Sequence, residues 1–87
     1  MVIWKYKLTL TTAPIEHAIP GFEKVIGYGL DSNNDVCVWC MVDPDAKTES
    51  VRFWCWGTDW DMPEVLLRAK PIGSVNQFGY MCHIFVG

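Results

Sequence analysis

Hydrophobic and polar residues alternate along the start of the chain, from Val2 to Thr11. One side of this segment carries the apolar positions and the other the polar ones: Trp4, Tyr6, Leu8 and Leu10 against Lys5, Lys7 and Thr9. A period of two residues is typical of a strand with one buried face. Pro14 interrupts the pattern, and a short extended segment from Ile15 to Ile19 follows before the turn signal Pro20-Gly21.

The rest of the chain divides into further short apolar segments separated by turn residues. A strand is predicted over Phe22 to Leu30, where Gly27 and Gly29 indicate either a bulge or a close approach by another backbone. The turn formers of Asp31 to Asp35 then predict a chain reversal. Two strands and a closing hairpin around Phe78-Gly79 complete the pattern: Val36 to Val42, Val51 to Trp56, Lys70 to Gln77 and Tyr80 to Val86.

One segment is predicted to be helical, from Met62 to Ala69, with Asp61 as its N-cap and Pro63 as its first helical residue. Short strands at close spacing otherwise dominate. The sequence therefore predicts a mainly β fold: a small antiparallel β-sandwich or partly open barrel of five to six strands, with at most one short helix. Residues 1–87 are expected to form a single domain, since the chain has 87 residues and no linker.

The charge of the chain narrows the classes of partner. A net charge of −3 and a pI of about 5.1 are unlike those of proteins that bind long nucleic acids, which carry a basic excess. No apolar run approaches the roughly 20 residues that cross a bilayer, and the N-terminal segment lacks the features of a signal peptide. We therefore expect a cytosolic protein that binds neither membranes nor long nucleic acids.

Catalytic and metal-binding signals are sparse. Cys37 and Cys40 form a CxxC, but in a strand they would point to opposite faces, so all four cysteines are expected to be free core residues. His17 and His83 stand in no recognisable triad order. We therefore expect no metal, no cofactor and no enzymatic activity.

The strongest candidate for a binding site is the face of Val51 to Trp56 that carries Arg52, Trp54 and Trp56. Three interpretations remain open: a second apolar cluster under the loop of residues 57–70, a protein interface, or a small-ligand pocket. The last two require that the indoles project outward beside the guanidinium. Trp60 could reach the same patch, and three basic residues could meet a phosphate: Lys5, Lys7 and Arg68.

Five short segments resemble a family of small phage-encoded domains of unknown function. These segments are IWKY from Ile3, CVWCMVDPDA from Cys37, RFWCWGT from Arg52, PIGSV from Pro71 and HIFVG at the end of the chain. Members of that family read IWKYPL, CLWALVDPEAP, RRFRIYGTG, YIGTVQ and WHVFE at the corresponding places. The chain differs by its extra aromatic residues and by the insert DWDMPEVLLRA, and the family supplies no catalytic residues to carry over.

The resemblance implies a phage origin and therefore the cytoplasm of an infected host. By analogy with small phage proteins of this class, we expect a non-enzymatic, homo-oligomeric protein that counters host defence by sequestering a small nucleotide-like immune signal. One alternative is an inhibitor that binds a host defence protein, or an accessory virion component. Another is a small enzyme that degrades such a signal.

Overall fold

Seven strands form two antiparallel sheets that pack face to face. The computed structural model describes residues 1–87. The first sheet has the order β1 (Val2–Lys7), β4 (Val36–Val42), β3 (Lys24–Leu30). The second has the order β2 (Ile15–Pro20), β5 (Thr48–Gly57), β7 (Tyr80–Val86), β6 (Lys70–Gln77), and the only helix is α1 (Glu64–Arg68). The predicted mainly β, sandwich-like fold is confirmed, with seven strands instead of five to six because the short Ile15 segment is a full strand.

The apolar core lies between the two sheets and draws on both. The core-facing residues of β4 are Val36, Val38, Cys40 and Val42, and those of β5 are Val51, Phe53 and Cys55. Phe53 is completely buried. The face of β5 that the alternation assigned to the core is therefore the correct one. Burial of apolar surface at about 25 cal/mol per Å² makes this core the main source of stability.

The first strand is shorter than predicted but has the predicted faces. It ends at Lys7 instead of Thr11, while Tyr6 and Leu8 pack on the core and Lys5 stays outside. Trp4 lies opposite Cys40 on the core-facing side, yet 42% of it is exposed. This exposure arises because β1 is an edge strand and no further strand lies beyond it.

The edge strands β3 and β6 lie against each other across the sandwich. The predicted bulge of β3 is present as a register shift between Val25 and Gly27. A side chain at Gly73 of β6 would overlap the ring of Tyr28, so the glycine permits the close approach of the two strands.

The predicted chain reversal at Asp31 to Asp35 is also present. The Asp31 carboxylate accepts backbone N–H groups from Asn33 at 2.9 Å and from Asp35 at 3.0 Å. Asn34 takes a positive φ of 61°, which asparagine tolerates better than most residues. Elsewhere, α1 is much too short to span a lipid bilayer, and it is the only helix.

Candidate functional site

Trp54 and Trp56 lie under a cover and do not form an open platform. They are 3% and 6% exposed and form a second apolar cluster with Leu66 of α1, with Ala69 and Phe85 packed around it. The expectation of two outward indoles that a ligand or partner could contact is therefore wrong. Of the three interpretations, the structure supports the covered cluster under the loop of residues 57–70.

The cover consists of the insert that follows β5. The helix begins at Glu64, two residues later than predicted, because Pro63 keeps an extended ψ of 156° and occupies the N-cap position without a side-chain cap bond. Asp61 is therefore not the N-cap. Leu66, 1% exposed, is the one buried residue of the helix, and Leu67 beside it is 71% exposed. A single leucine thus attaches the helix to the two indoles.

Arg52 and Arg68 share a cleft of about 200 Å³ on one side of α1, next to Trp54. The Arg52 guanidinium carbon lies 5.9 Å from the centre of the Trp54 ring, within cation–π distance. Arg52 has no carboxylate within salt-bridge distance, although Glu16 is its neighbour across the strand pair. Arg68 pairs with Glu64 at 3.1 Å on the exposed helix surface, a contact worth little in water.

Trp60 lies on the other side of the covered cluster and remains accessible. Its ring centre is 5.5 Å from that of Trp56 in an edge-to-face arrangement, and the Trp56 indole N–H donates to its carbonyl at 3.3 Å. A Cβ at Gly57 would come within 2.5 Å of the Trp60 ring, so only glycine lets the indole lie this close to β5. Trp60 is 38% exposed and is the one tryptophan of the predicted patch that a ligand can reach.

Lys5 and Lys7 are on the other sheet and do not join the tryptophans, which corrects their place in the predicted site. Lys5 Nζ contacts the Asp31 carboxylate at 2.9 Å, and Lys7 Nζ lies 3.5 Å from Asp35. The hydrogen bond with Asp31 raises the pKa of Lys5 and holds the pKa of Asp31 well below its usual range. Both lysines therefore form ion pairs with the turn between β3 and β4.

Three residues outside the predicted set form a hydrogen-bonded row on the outer face of the second sheet. His83 Nδ1 lies 2.7 Å from Ser74 Oγ, and His83 Nε2 lies 2.7 Å from Thr58 Oγ1. In the strand register, His83 stands opposite both Trp56 and Ser74. The register that joins His83 to Ser74 is not visible in the sequence. All three residues belong to segments that carry the family resemblance.

A cleft of about 220 Å³ connects this row to Trp60. Thr58, Asp59 and His83 provide its polar groups, and the apolar lining comes from Trp56, Trp60, Met62 and Phe85. A second cleft of about 260 Å³ lies on the other side of Trp60 and reaches Tyr80 and Met81. A larger groove of about 370 Å³ runs between β3 and β6, but Lys70 is its only charged residue.

The chemistry available to the row is hydrogen bonding more than catalysis. A neutral imidazole offers one donor and one acceptor, and both hydroxyls can rotate to match. No carboxylate bonds to His83, so the third member of a hydrolytic triad is missing.

Burial raises the pKa of the Cys37 and Cys40 thiols to about 11, so they are protonated at neutral pH. No group of three or more His, Cys, Asp or Glu side chains could hold a metal ion.

The five resemblance segments extend over nearly the whole chain, and one family model matches residues 1–87. The chain belongs to this family. It is described as a domain of unknown function, DUF7352, which confirms the resemblance to a family of unknown function; the description names neither a phage origin nor an activity. No curated protein and no solved structure matches the chain.

Proposed function

We propose that this member of the DUF7352 family is a non-enzymatic binding protein that captures a small nucleotide-like molecule in an infected host cell. The observation that carries the proposal is the Thr58–His83–Ser74 row beside the accessible Trp60 indole. An aromatic face next to a few converging polar groups is the usual composition of a small-molecule site. The sequestered molecule would be a signal produced by a host defence system.

Trp60 supplies the stacking surface for the base. Its indole is held from below by Gly57 and from the side by Trp56, so little conformational freedom is lost when a planar ring binds. Stacking of a base on an aromatic side chain is worth about 1–3 kcal/mol. The burial of Trp54 and Trp56 leaves this role to Trp60 alone.

Thr58 supplies the polar contact and His83 positions its hydroxyl, since both line the cleft next to Trp60 and bond to each other at 2.7 Å. Ser74 bonds to the imidazole nitrogen that faces away from Thr58 and thereby fixes the orientation of the ring. Both imidazole nitrogens already have partners, so a heteroaromatic base would exchange its hydrogen bond with the remaining capacity of the Thr58 hydroxyl.

The anionic end of the ligand belongs at Arg52, on the other side of α1. Asp59 lines the Trp60 cleft and would repel a phosphate there. The two clefts lie beside Trp56 and Trp54, which are two residues apart on β5, or about 7 Å along the strand, and the ligand would pass around α1 to reach both. Arg52 has no salt-bridge partner, and the exposed Arg68–Glu64 pair could exchange its carboxylate for a phosphate.

Thermal shift and tryptophan fluorescence test the proposal with cyclic dinucleotides, ADP-ribose derivatives and adenosine, each at about 100 μM. A ligand at 100 times its Kd stabilises the folded state by about 2.7 kcal/mol, so a clear rise in Tm is expected, together with quenching of Trp60. Trp60→Ala should abolish both signals. Leu67→Ala, which changes an exposed residue of α1, should retain them.

Native mass spectrometry of protein purified from cells with active defence systems tests the cellular role, because it reports any co-purified small molecule. The absence of a thermal shift with every compound, or a shift that survives in Trp60→Ala, would contradict the proposal.

A second candidate is binding of a host defence protein or a virion protein through the hairpin that joins β6 and β7. Phe78 and Tyr80 are 76% and 71% exposed. Phe78 also takes a positive φ of 52°, which is costly for a bulky residue. Exposed aromatic residues on a strained turn favour a recognition role. A partner retained by Trp60→Ala but lost with Phe78→Ala, without any small-molecule response, would favour this function.

A further inference from the structure

The outer edge of β1 carries backbone groups without a partner strand. The Leu8 N–H donates to the Val36 carbonyl at 2.8 Å, and hydrogen bonding alternates along an antiparallel strand. Val2, Trp4 and Tyr6 therefore bond to β4, while Ile3, Lys5 and Lys7 direct their N–H and C=O groups away from it. The Lys7 carbonyl fits this pattern, since it accepts a hydrogen bond from His17 Nε2 at 2.8 Å. Ile3 and Lys5 have no comparable partner.

The other three sheet edges have devices that prevent strand pairing. β2 follows Pro14 and ends at Pro20, and neither proline can donate a backbone hydrogen bond. β3 and β6 each contain a register shift and lie against each other across the sandwich, where Tyr28 covers Gly73. Bulges, prolines and covered edges are the usual protection against pairing with another chain.

β1 has none of these devices in its first half. Val2, Ile3 and Trp4 are 42%, 56% and 42% exposed, and the strand VIWKYK contains no glycine, proline or bulge. An unprotected apolar edge strand is a template for another strand.

We propose that this edge pairs with a second copy of the chain. In an antiparallel arrangement about a two-fold axis, Trp4 stands opposite the partner's Trp4, and Ile3 exchanges backbone hydrogen bonds with the partner's Lys5. The two copies thus join their first sheets into one continuous sheet.

The charges and side chains select this register over its neighbours. A shift that centres the axis on Lys5 would place two lysines directly opposite each other, which is destabilising. A shift that centres it on Ile3 would place Trp4 against the partner's Val2 and lose the aromatic pair. In the proposed register the lysines do not oppose each other, and Lys5 and Lys7 keep their own partners Asp31 and Asp35. Cross-strand aromatic pairs contribute beyond their buried area.

Light scattering coupled to size-exclusion chromatography tests the dimer, at about 100 μM protein. The wild type should show twice the chain mass of 9.9 kDa. Ile3→Pro should show the mass of a single chain, because the proline removes an N–H that faces the partner and does not bond to β4. Far-ultraviolet circular dichroism checks that its fold is unchanged, and Leu67→Glu, at an exposed site on α1, should stay dimeric. A monomeric wild type, or a folded Ile3→Pro dimer, would overturn the proposal.

Oxidative cross-linking tests the register. Opposed non-hydrogen-bonded residues have Cα atoms about 4.5 Å apart, within the range of a disulfide. Trp4→Cys should therefore form a covalent dimer on mild oxidation, whereas Ile3→Cys, which faces the partner's Lys5, should not. The four native cysteines are buried, so the wild type is the control that should form no covalent dimer. A covalent dimer from Ile3→Cys but not from Trp4→Cys would overturn the two-fold register at Trp4.

Discussion

β4 and β5 are interior strands of their sheets, and each carries tryptophan on its outer face, but the two outer faces have different surroundings. Trp54 and Trp56 on the outer face of β5 lie under α1 and are almost fully buried. Trp39, on the outer face of β4, is only partly buried and belongs to neither apolar cluster. Its neighbours across the strand pairs are Lys5 and Gly27, and the glycine has no side chain to cover the indole.

The difference comes from one insert. The segment between β5 and β6 returns over its own sheet and places Leu66 on the indoles, whereas no segment returns over β4. Only Cys37 is fully buried on that face, beside Asp31 and opposite Lys7. An apolar strand face thus becomes core or surface according to what the rest of the chain puts over it.

The largest expected effect is the difference in stability between the variants of Trp54 and Trp39. Trp54→Ala should lower the free energy of unfolding by about 3–5 kcal/mol, the usual cost of emptying a buried aromatic site. Trp39→Ala should cost less, about 1 kcal/mol, since this residue is only partly buried. Urea denaturation followed by circular dichroism measures both values. Equal losses would show that the outer face of β4 is also covered.

A smaller effect should come from the cover itself. Leu66→Ala leaves a cavity between the helix and the indoles and should cost about 2–4 kcal/mol. Leu67→Ala alters the neighbouring exposed residue of the same helix and should change the stability by less than about 0.5 kcal/mol. Denaturation followed by tryptophan fluorescence measures both stabilities. Acrylamide quenching of the native proteins measures access to the indoles, because the quencher should reach Trp54 and Trp56 only in Leu66→Ala. No gain of quenching in Leu66→Ala would mean that α1 does not hold the cover.

The fold was predictable because it depends on local alternation. The faces of β1 and β5, the bulge of β3 and the hairpin at Phe78-Gly79 all follow from residue types within a few positions of one another. The helix start was misplaced since Pro63 can occupy either the N-cap or the first helical position, and ψ at Pro63 decides between them.

The site was less predictable because it depends on long-range register. His83 meets Ser74 and Thr58 only when β7 is aligned with β6 and with the end of β5. The predicted patch divides for the same reason: Arg52 and Arg68 lie on one side of Leu66, and Trp60 lies on the other. Lys5 and Lys7 were predicted to meet a phosphate because of their charge alone, but they belong to the opposite sheet.

Gly57 lies against Trp60 and Gly27 lies beside Trp39, and the two glycines differ in the space available for a side chain. Gly57→Ala should displace the Trp60 indole and cost about 1 kcal/mol, because the new methyl group would overlap the ring unless the loop shifts. Gly27→Ala, beside Trp39, meets no atom within 4 Å and should be close to neutral. Stability and the fluorescence emission maximum report the two effects. An unchanged emission spectrum in Gly57→Ala would contradict the placement of Trp60.

The smallest effect should be an acid sensitivity of the first sheet. The pKa of Asp31 lies below its ordinary value of 3.8. The hydrogen bond from Lys5 contributes most to this decrease, and the hydrogen bond from the backbone N–H of Asp35 contributes next. A carboxyl group whose pKa is lower in the folded state stabilises the fold above its unfolded pKa, and this contribution is lost as the pH falls below it. Asp31→Asn should remove that contribution, so its stability should fall less than that of the wild type between pH 5 and pH 2. Parallel losses in both proteins would show that Asp31 does not stabilise this turn through its charge.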